Sequence, residues 1–357
     1  MALNYGSDKK RAVQAKFDAQ KIAFAPIMFQ AARALRDLGI LSLLKNSETG
    51  FTMREVSDTL HLPLYGVKVL LEAGLSLELV LVEEDRFHMT KTGWFIESDE
   101  LTRVNMNFTH DVNYLGMFSL IESIKSGRPE GLKVFGNWST VYEGLSQLPP
   151  QVQKSWFGFD HFYSDYAFPE LMPVIFRNNP EHILDVGGNT GRFAIRCADY
   201  DPGVRVTILD LPGQLAKAEK DIAAAGFKDR VILYPIDLLD HSRPFPKSAD
   251  IIWMSQFLDC FSQEDILGLL RRSAEAMHAG SSLYILETYW DKQQYEASTY
   301  SLHATSLYFT NIANGCSQMH HSDDMRKLIS RSGLTLVEEI ENVGVSHTLF
   351  ICRRKED

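Results

Sequence analysis

Apolar residues recur at helical spacing from residue 22 onward. Phe24, Ile27, Met28, Ala31, Leu35 and Leu38 fall on one stripe, behind a polar leader of residues 1–20 that runs into the helix. Gly39 ends the pattern, and Ile40–Leu44 restarts a short helix. A helix this apolar belongs in a core or at a subunit interface. Thr52-Met53-Arg54-Glu55 reads as a capping box for a helix reaching Leu60. Pro63 opens another helix, striped by Val67, Leu70, Leu71 and Leu75. Leu79–Val82, the polar turn Glu83–Asp85 and Arg86–Met89 predict a β-hairpin. Two helices followed by a hairpin make a winged-helix arrangement. Its second helix carries only Lys68 and Glu72 as charges, a poor reader of a DNA groove. A structural module is expected instead.

Apolar helical stretches surround Tyr114 to Ile124, with breaks at Ser126–Pro129 and at Leu148-Pro149-Pro150. The second break sets the expected domain boundary: residues 1–150 and 151–357. Gln153–Phe176 predicts a long aromatic helix bridging them. From residue 180 strands and helices alternate. Strands are expected at 183–186, 206–209, 231–235, 249–255 and 282–287, and helices at 193–200, 214–225, 263–277 and 325–332. A final antiparallel pair is expected at 335–341 and 347–352. This alternation marks an α/β protein with a doubly wound sheet, whose ligand lies at the carboxyl ends of the strands.

The stretch His182-Ile183-Leu184-Asp185-Val186-Gly187-Gly188-Asn189-Thr190-Gly191-Arg192-Phe193 runs from a buried strand through a glycine turn into a helix. A second strand, Arg205–Asp210, ends in a carboxylate about 20 residues beyond the glycines, where an acid that binds ribose hydroxyls is expected. The turn departs from G-x-G-x-x-G by placing Asp185 two residues ahead of the first glycine. That charge repels a pyrophosphate and speaks against a nicotinamide dinucleotide. It welcomes an ammonium or sulfonium. S-adenosylmethionine (SAM) carries both, and a ribose.

The 357 residues suffice for two domains, and 45% hydrophobic content supports a sizeable core. A net charge of −10 argues against a nucleic-acid scaffold. Cys197, Cys260, Cys316 and Cys352 form no C-x-x-C, which fits a reducing compartment and excludes a cysteine zinc site. Met1–Ala15 holds no apolar signal core and no run reaches 18 apolar residues, so a cytoplasmic protein is expected.

Together these stretches resemble the plant-type small-molecule O-methyltransferases, a SAM-dependent family that includes hydroxyindole methyltransferases and bacterial natural-product enzymes. The resemblance covers nearly the whole chain. Leu38-Gly39-Ile40 and Thr90-Lys91-Thr92-Gly93 are similar to the family's dimerisation domain. Leu184–Gly191 resembles its SAM loop, Leu209-Asp210-Leu211-Pro212 its ribose stretch, and Arg230-Val231 leading to Asp237-Leu238 its adenine stretch. The resemblance implies a Rossmann-like class I methyltransferase sheet behind an N-terminal winged-helix dimerisation domain, a homodimer, SAM and a small aromatic or polyketide-like acceptor. It assigns Asp185, Gly187, Gly188 and Gly191 to the methionine end, Asp210 and Leu211 to the ribose, and Asp237 and Leu238 to the adenine. Ser255 falls where the family often has a lysine.

The catalytic positions depart from the family. Its histidine base, in a Leu-His-Asp-Trp stretch, falls on Asp259 in Gln256-Phe257-Leu258-Asp259-Cys260. An ordinary Asp is a weak base toward a phenol, although burial raises its pKa. Glu287 fits the first supporting acid, whereas the second falls at Met319 and is lost. His161, His303, His320 and His321 are candidate substitutes, with no metal-site pattern around them. His161, Tyr308, Phe309 and Asn311 align with acceptor-contacting positions. The rival readings are a SAM-binding protein without catalysis, and a family-like fold used for decarboxylation or hydroxylation.

Overall fold

The structure, a computed structural model, describes residues 8–355. The first seven residues of the expected leader lie outside them. Contacts divide the chain into two compact units between His110 and Asp111. The boundary expected near Pro150 thus falls about forty residues too late. The reason is side-chain packing at residues 111–150. Asn311 donates to the Gly116 carbonyl (2.8 Å) and accepts from Ser123 Oγ (2.7 Å), which stitches this stretch into the second unit.

The N-terminal unit runs α1 (Ala12–Asp37), α2 (Ile40–Lys45), α3 (Met53–Leu60), α4 (Leu64–Ser76), β1 (Val80–Glu83), β2 (Arg86–Met89), α5 (Lys91–Ser98) and α6 (Glu100–Phe108). The Thr52–Glu55 capping box forms as expected. The hairpin pairs Val80 with Met89, one residue later than the sequence suggested on its first strand. Leu35, Ile40, Leu41, Val67, Leu71 and Phe87 form the core. The stripe on α1 divides: Leu35 is buried, while Phe24 and Ile27 remain exposed. An exposed apolar helix face of this kind is what a partner surface covers.

In the second unit come α7 (Leu120–Ser126), α8 (Val141–Gly144) and α9 (Pro150–Ile175), with Pro150 at the first helical position. Then β3 (His182–Val186), α10 (Arg192–Tyr200), β4 (Arg205–Asp210), α11 (Pro212–Ala225), β5 (Val231–Pro235), β6 (Ile251–Ser255), α12 (Gln263–Ala276) and β7 (Ser282–Glu287) alternate. The chain closes with α13 (Glu296–Tyr308), α14 (Ser322–Arg331), β8 (Leu334–Val343) and β9 (His347–Arg354). The sheet order is β5-β4-β3-β6-β7-β9-β8. Pairs among β3 to β7 are parallel, and β9 lies antiparallel to both neighbours. The order of strand addition reverses between the parallel neighbours β3 and β6, so the crevice beyond their carboxyl ends is the expected ligand site. Phe193 on α10 stacks on Trp253 of β6 at 4.3 Å, which fixes the helix behind the glycine turn. Among the described residues no helix is long and apolar enough to cross a membrane.

Candidate active site

The carboxyl ends of β3 and β4 build one wall of the site. Asp185 is buried in β3, and its Oδ2 has no hydrogen-bond partner. Burial, then the nearby Asp210, pushes its pKa up to about 8. Gly187 turns the chain at φ +75°, and a Cβ there would strike the Phe257 ring. A Cβ at Gly188 would strike the Asp185 carboxylate. No larger residue fits either position, so the turn packs closely against the Phe257 ring and the Asp185 carboxylate. Gly191 begins α10 in the left-handed region.

Asp210 ends β4 as expected. Its Oδ1 accepts the Leu211 N–H (2.7 Å) and its Oδ2 the Asn189 N–H (2.8 Å). Burial raises its pKa against the pull of those two N–H groups. Each oxygen keeps a lone pair for a ligand hydroxyl. Ser255 Oγ, at the end of β6, is buried without a partner. Leu238 is buried and its carbonyl accepts from Arg272 Nη1 (2.7 Å). Asp237 is exposed and its carboxylate accepts the Leu239 N–H (2.9 Å), so its side chain caps a turn. An unpartnered acid, a close-packed glycine turn, a second acid and an unpartnered hydroxyl at the carboxyl ends of neighbouring strands fit a cationic, ribose-bearing ligand.

Beyond β6 lies the second wall. Asp259 sits in the short 3-10 turn Leu258–Cys260, only 6% exposed. Burial raises its carboxyl to about 7, against the Cys260 thiol (3.5 Å), with Asp160 on α9 raising it further. Glu287 ends β7, and its Oε1 accepts the Phe257 (3.0 Å) and Leu258 (2.8 Å) N–H groups. Its Oε2 is buried without a partner. Burial, then the charge of Asp259, holds Glu287 well above the usual carboxylate range. Tyr308 and Phe309 are buried side by side, and the Tyr308 hydroxyl accepts from Trp156 Nε1 (2.7 Å).

Not every expected residue joins this wall. Asn311 is fully buried and spends its amide on Gly116 and Ser123, so it is a packing residue and not an acceptor contact. His303 is exposed on α13 against Trp290. His321 caps α14, accepting the Asp323 N–H. His161 stacks near Phe157 and lies 3.8 Å from Asp160. His320 is buried beside the Leu258 backbone, and burial lowers its pKa. Met319 is buried, its sulfur accepting from Thr288 Oγ1 (3.4 Å), so no carboxylate stands at that position. The sequence reading missed Asp160, Cys260 and Tyr142, whose hydroxyl lies beside the Cys260 thiol. Asp160 and Cys260 could have been found only as sequence neighbours of His161 and Asp259, and Tyr142 carried no sequence signal.

Residues 175–335 match the O-methyltransferase domain family, and residues 16–87 match a dimerisation2-like domain. The chain thus carries an O-methyltransferase-family domain behind a dimerisation2-like domain, and the proteins it is similar to are methyltransferases of bacterial and plant type. L-tyrosine C(3)-methyltransferase of Streptomyces lavendulae is 27% identical over 271 residues, spanning 75% of this chain and 73% of that protein. Aclacinomycin 10-hydroxylase RdmB of Streptomyces purpurascens is 30% identical over 176 residues, which is 48% of this chain and 45% of that one. The fold matches the apo structure of the S-adenosylmethionine-dependent methyltransferase SibL with a TM-score of 0.73 at 24% identity, covering 94% of this chain and 98% of that one.

Proposed function

We propose that this protein O-methylates a small aromatic or polyketide-like acceptor, working as a cytoplasmic homodimer. The observation that carries the reading is the buried, unpartnered Asp185 Oδ2 beside the glycine turn. When bound, SAM supplies an electrophilic sulfonium methyl and departs as a neutral thioether. Asp185, Gly187, Gly188 and Gly191 would hold its methionine end, Asp210 and Leu211 its ribose, and Leu238 its adenine. Asp237 would contribute backbone, since its carboxylate is engaged. Ser255 would offer its free hydroxyl.

Asp259 takes the place of a histidine base. A carboxylate raised to about 7 is matched to accept a proton near neutral pH from an acceptor hydroxyl. Glu287 clamps the backbone just before Asp259 and so positions it. Tyr308 and Phe309 would wall a flat ring and exclude water. Homodimer formation is supported by the dimerisation-domain match and by the exposed Phe24 and Ile27. A cytoplasmic location is supported by the four free cysteines.

Incubation with SAM and a panel of phenols, read by mass spectrometry, tests the reading: a product carrying one added methyl supports it. A second reading, SAM-assisted chemistry without methyl gain, rests on the missing histidine and on Met319. A product lacking the methyl selects it.

A further inference from the structure

One face of α12 grips the loop between β5 and β6. Asp265, Gly268 and Arg272 follow one another at helical spacing and share that face. His241 Nε2 lies 3.3 Å from Asp265 Oδ1, and a Cβ on Gly268 would meet the His241 ring at 2.5 Å. One turn further along, Arg272 Nη1 donates to the Leu238 carbonyl at 2.7 Å. Its guanidinium carbon lies 4.2 Å from the centre of the Phe245 ring. At its start the loop is tied to β4, where the Ile236 N–H donates to the Asp210 carbonyl at 3.0 Å. Leu238 is therefore held between the strand that ends in Asp210 and the Arg272 guanidinium. Arg272 is only 5% exposed, and its Nε and Nη2 are buried without a partner. A charge taken out of water for one hydrogen bond is costly, and an apolar side chain would pack this face more cheaply. The Phe245 ring offsets part of that cost. What arginine adds is a long, charged donor that fixes the main chain at Leu238.

We propose that Arg272 is a positioning residue for the purine of the cofactor: through the Leu238 carbonyl and the Phe245 ring it holds the loop against which the base binds. This rests on the methyltransferase reading above, which assigns the adenine to Leu238. Arg272 acts through the loop and not on the ligand, since its remaining nitrogens are buried. A loop already fixed on α12 needs no ordering when the ligand arrives, and that saving appears as affinity. The effect is confined to the base. The methionine end and the ribose are assigned to the turn after β3 and to Asp210, which Arg272 does not touch.

The test is calorimetric and needs no turnover. Wild type and Arg272→Met are titrated with S-adenosylhomocysteine (SAH). S-ribosylhomocysteine, which keeps the amino acid and the ribose but carries no purine, is scored by its displacement of SAH. Arg272→Met should weaken SAH about tenfold or more and S-ribosylhomocysteine less than about twofold, because only the purine meets the loop. Arg272→Lys keeps a cation and a donor, and its SAH affinity should fall between those of the wild type and Arg272→Met. If Arg272→Met fails to fold, Arg272→Lys and Phe245→Leu decide, each with a loss of about threefold or more for SAH alone. Unchanged SAH affinity in the variants overturns the proposal. So does an equal weakening of both ligands, since Arg272 would then serve the fold and not the base. A wild type that binds SAH no tighter than S-ribosylhomocysteine overturns it as well. A wild type that binds neither ligand sinks the methyltransferase reading and takes the proposal with it, whereas normal wild-type binding with an unchanged ratio in the variants sinks the proposal alone.

Discussion

Glu287 Oε1 accepts the backbone N–H of Leu258 at 2.8 Å, one residue before Asp259. A carboxylate from the end of β7 thus holds the turn after β6 that carries the candidate base. Replacing Asp259 by Asn keeps the shape and removes the charge. Turnover should fall about 10²–10⁴-fold while SAH affinity stays the same. A loss below about threefold would make Asp259 structural and turn attention to His161→Ala on α9.

The pH profile carries a sign. Asp259 must be ionised to accept a proton, and burial raises it to about 7. Activity should therefore decline as pH falls through about 7. A rate that stays level down to pH 5 would remove Asp259 from the proton path.

Stability of the ligand-free protein runs the other way. Asp185 and Asp259 titrate near 8 and 7 when folded and near 4 when unfolded. Between those values the folded chain holds more protons, so stability falls as pH rises from about 4 to about 8. Asp185→Asn should then raise the Tm of the ligand-free protein at pH 8, by about 2–6 °C, and abolish SAM binding. A lowered Tm, or retained SAM affinity, would contradict the account of the glycine turn.

Asp210→Ala should weaken SAM and SAH alike by roughly 1.5–3 kcal/mol through lost charge-assisted hydrogen bonds. Part of that loss comes from freeing the Asn189 N–H in the turn. Isothermal titration showing no change would exclude Asp210 from the site.

Phe24 and Ile27 lie exposed on α1. If they face a second subunit, their joint replacement by Glu should convert a dimer to a monomer in light scattering at micromolar concentration. An interface of this class buries more than about 2,000 Å². A wild-type monomer would dispose of the interface.

Much of the sheet was legible because buried parallel strands leave unbroken apolar runs. Val231–Pro235 and Ser282–Glu287 were placed to the residue. Asp185 and the glycines were legible because a turn this tight admits few residue types. The domain boundary was not. Pro149-Pro150 punctuates the start of α9, while the division at 110/111 depends on Asn311 reaching residues nearly 200 positions away. Helix α13 was overlooked because its apolar residues are scattered around the helix. Asn311 looked like an acceptor contact until its amide was seen to be spent on the main chain and Ser123. Asp160 carried no pattern of its own, since only folding brings α9 beside Asp259.

The most direct measurement is the fate of the methyl group. The protein is incubated with SAM bearing a deuterated methyl and a panel of hydroxylated aromatic compounds, amines included, and products are read by mass spectrometry. The account predicts a product carrying the intact labelled methyl on oxygen, together with stoichiometric SAH. Consumption of the acceptor without uptake of label, or tight SAM binding with no product from any acceptor, would contradict it.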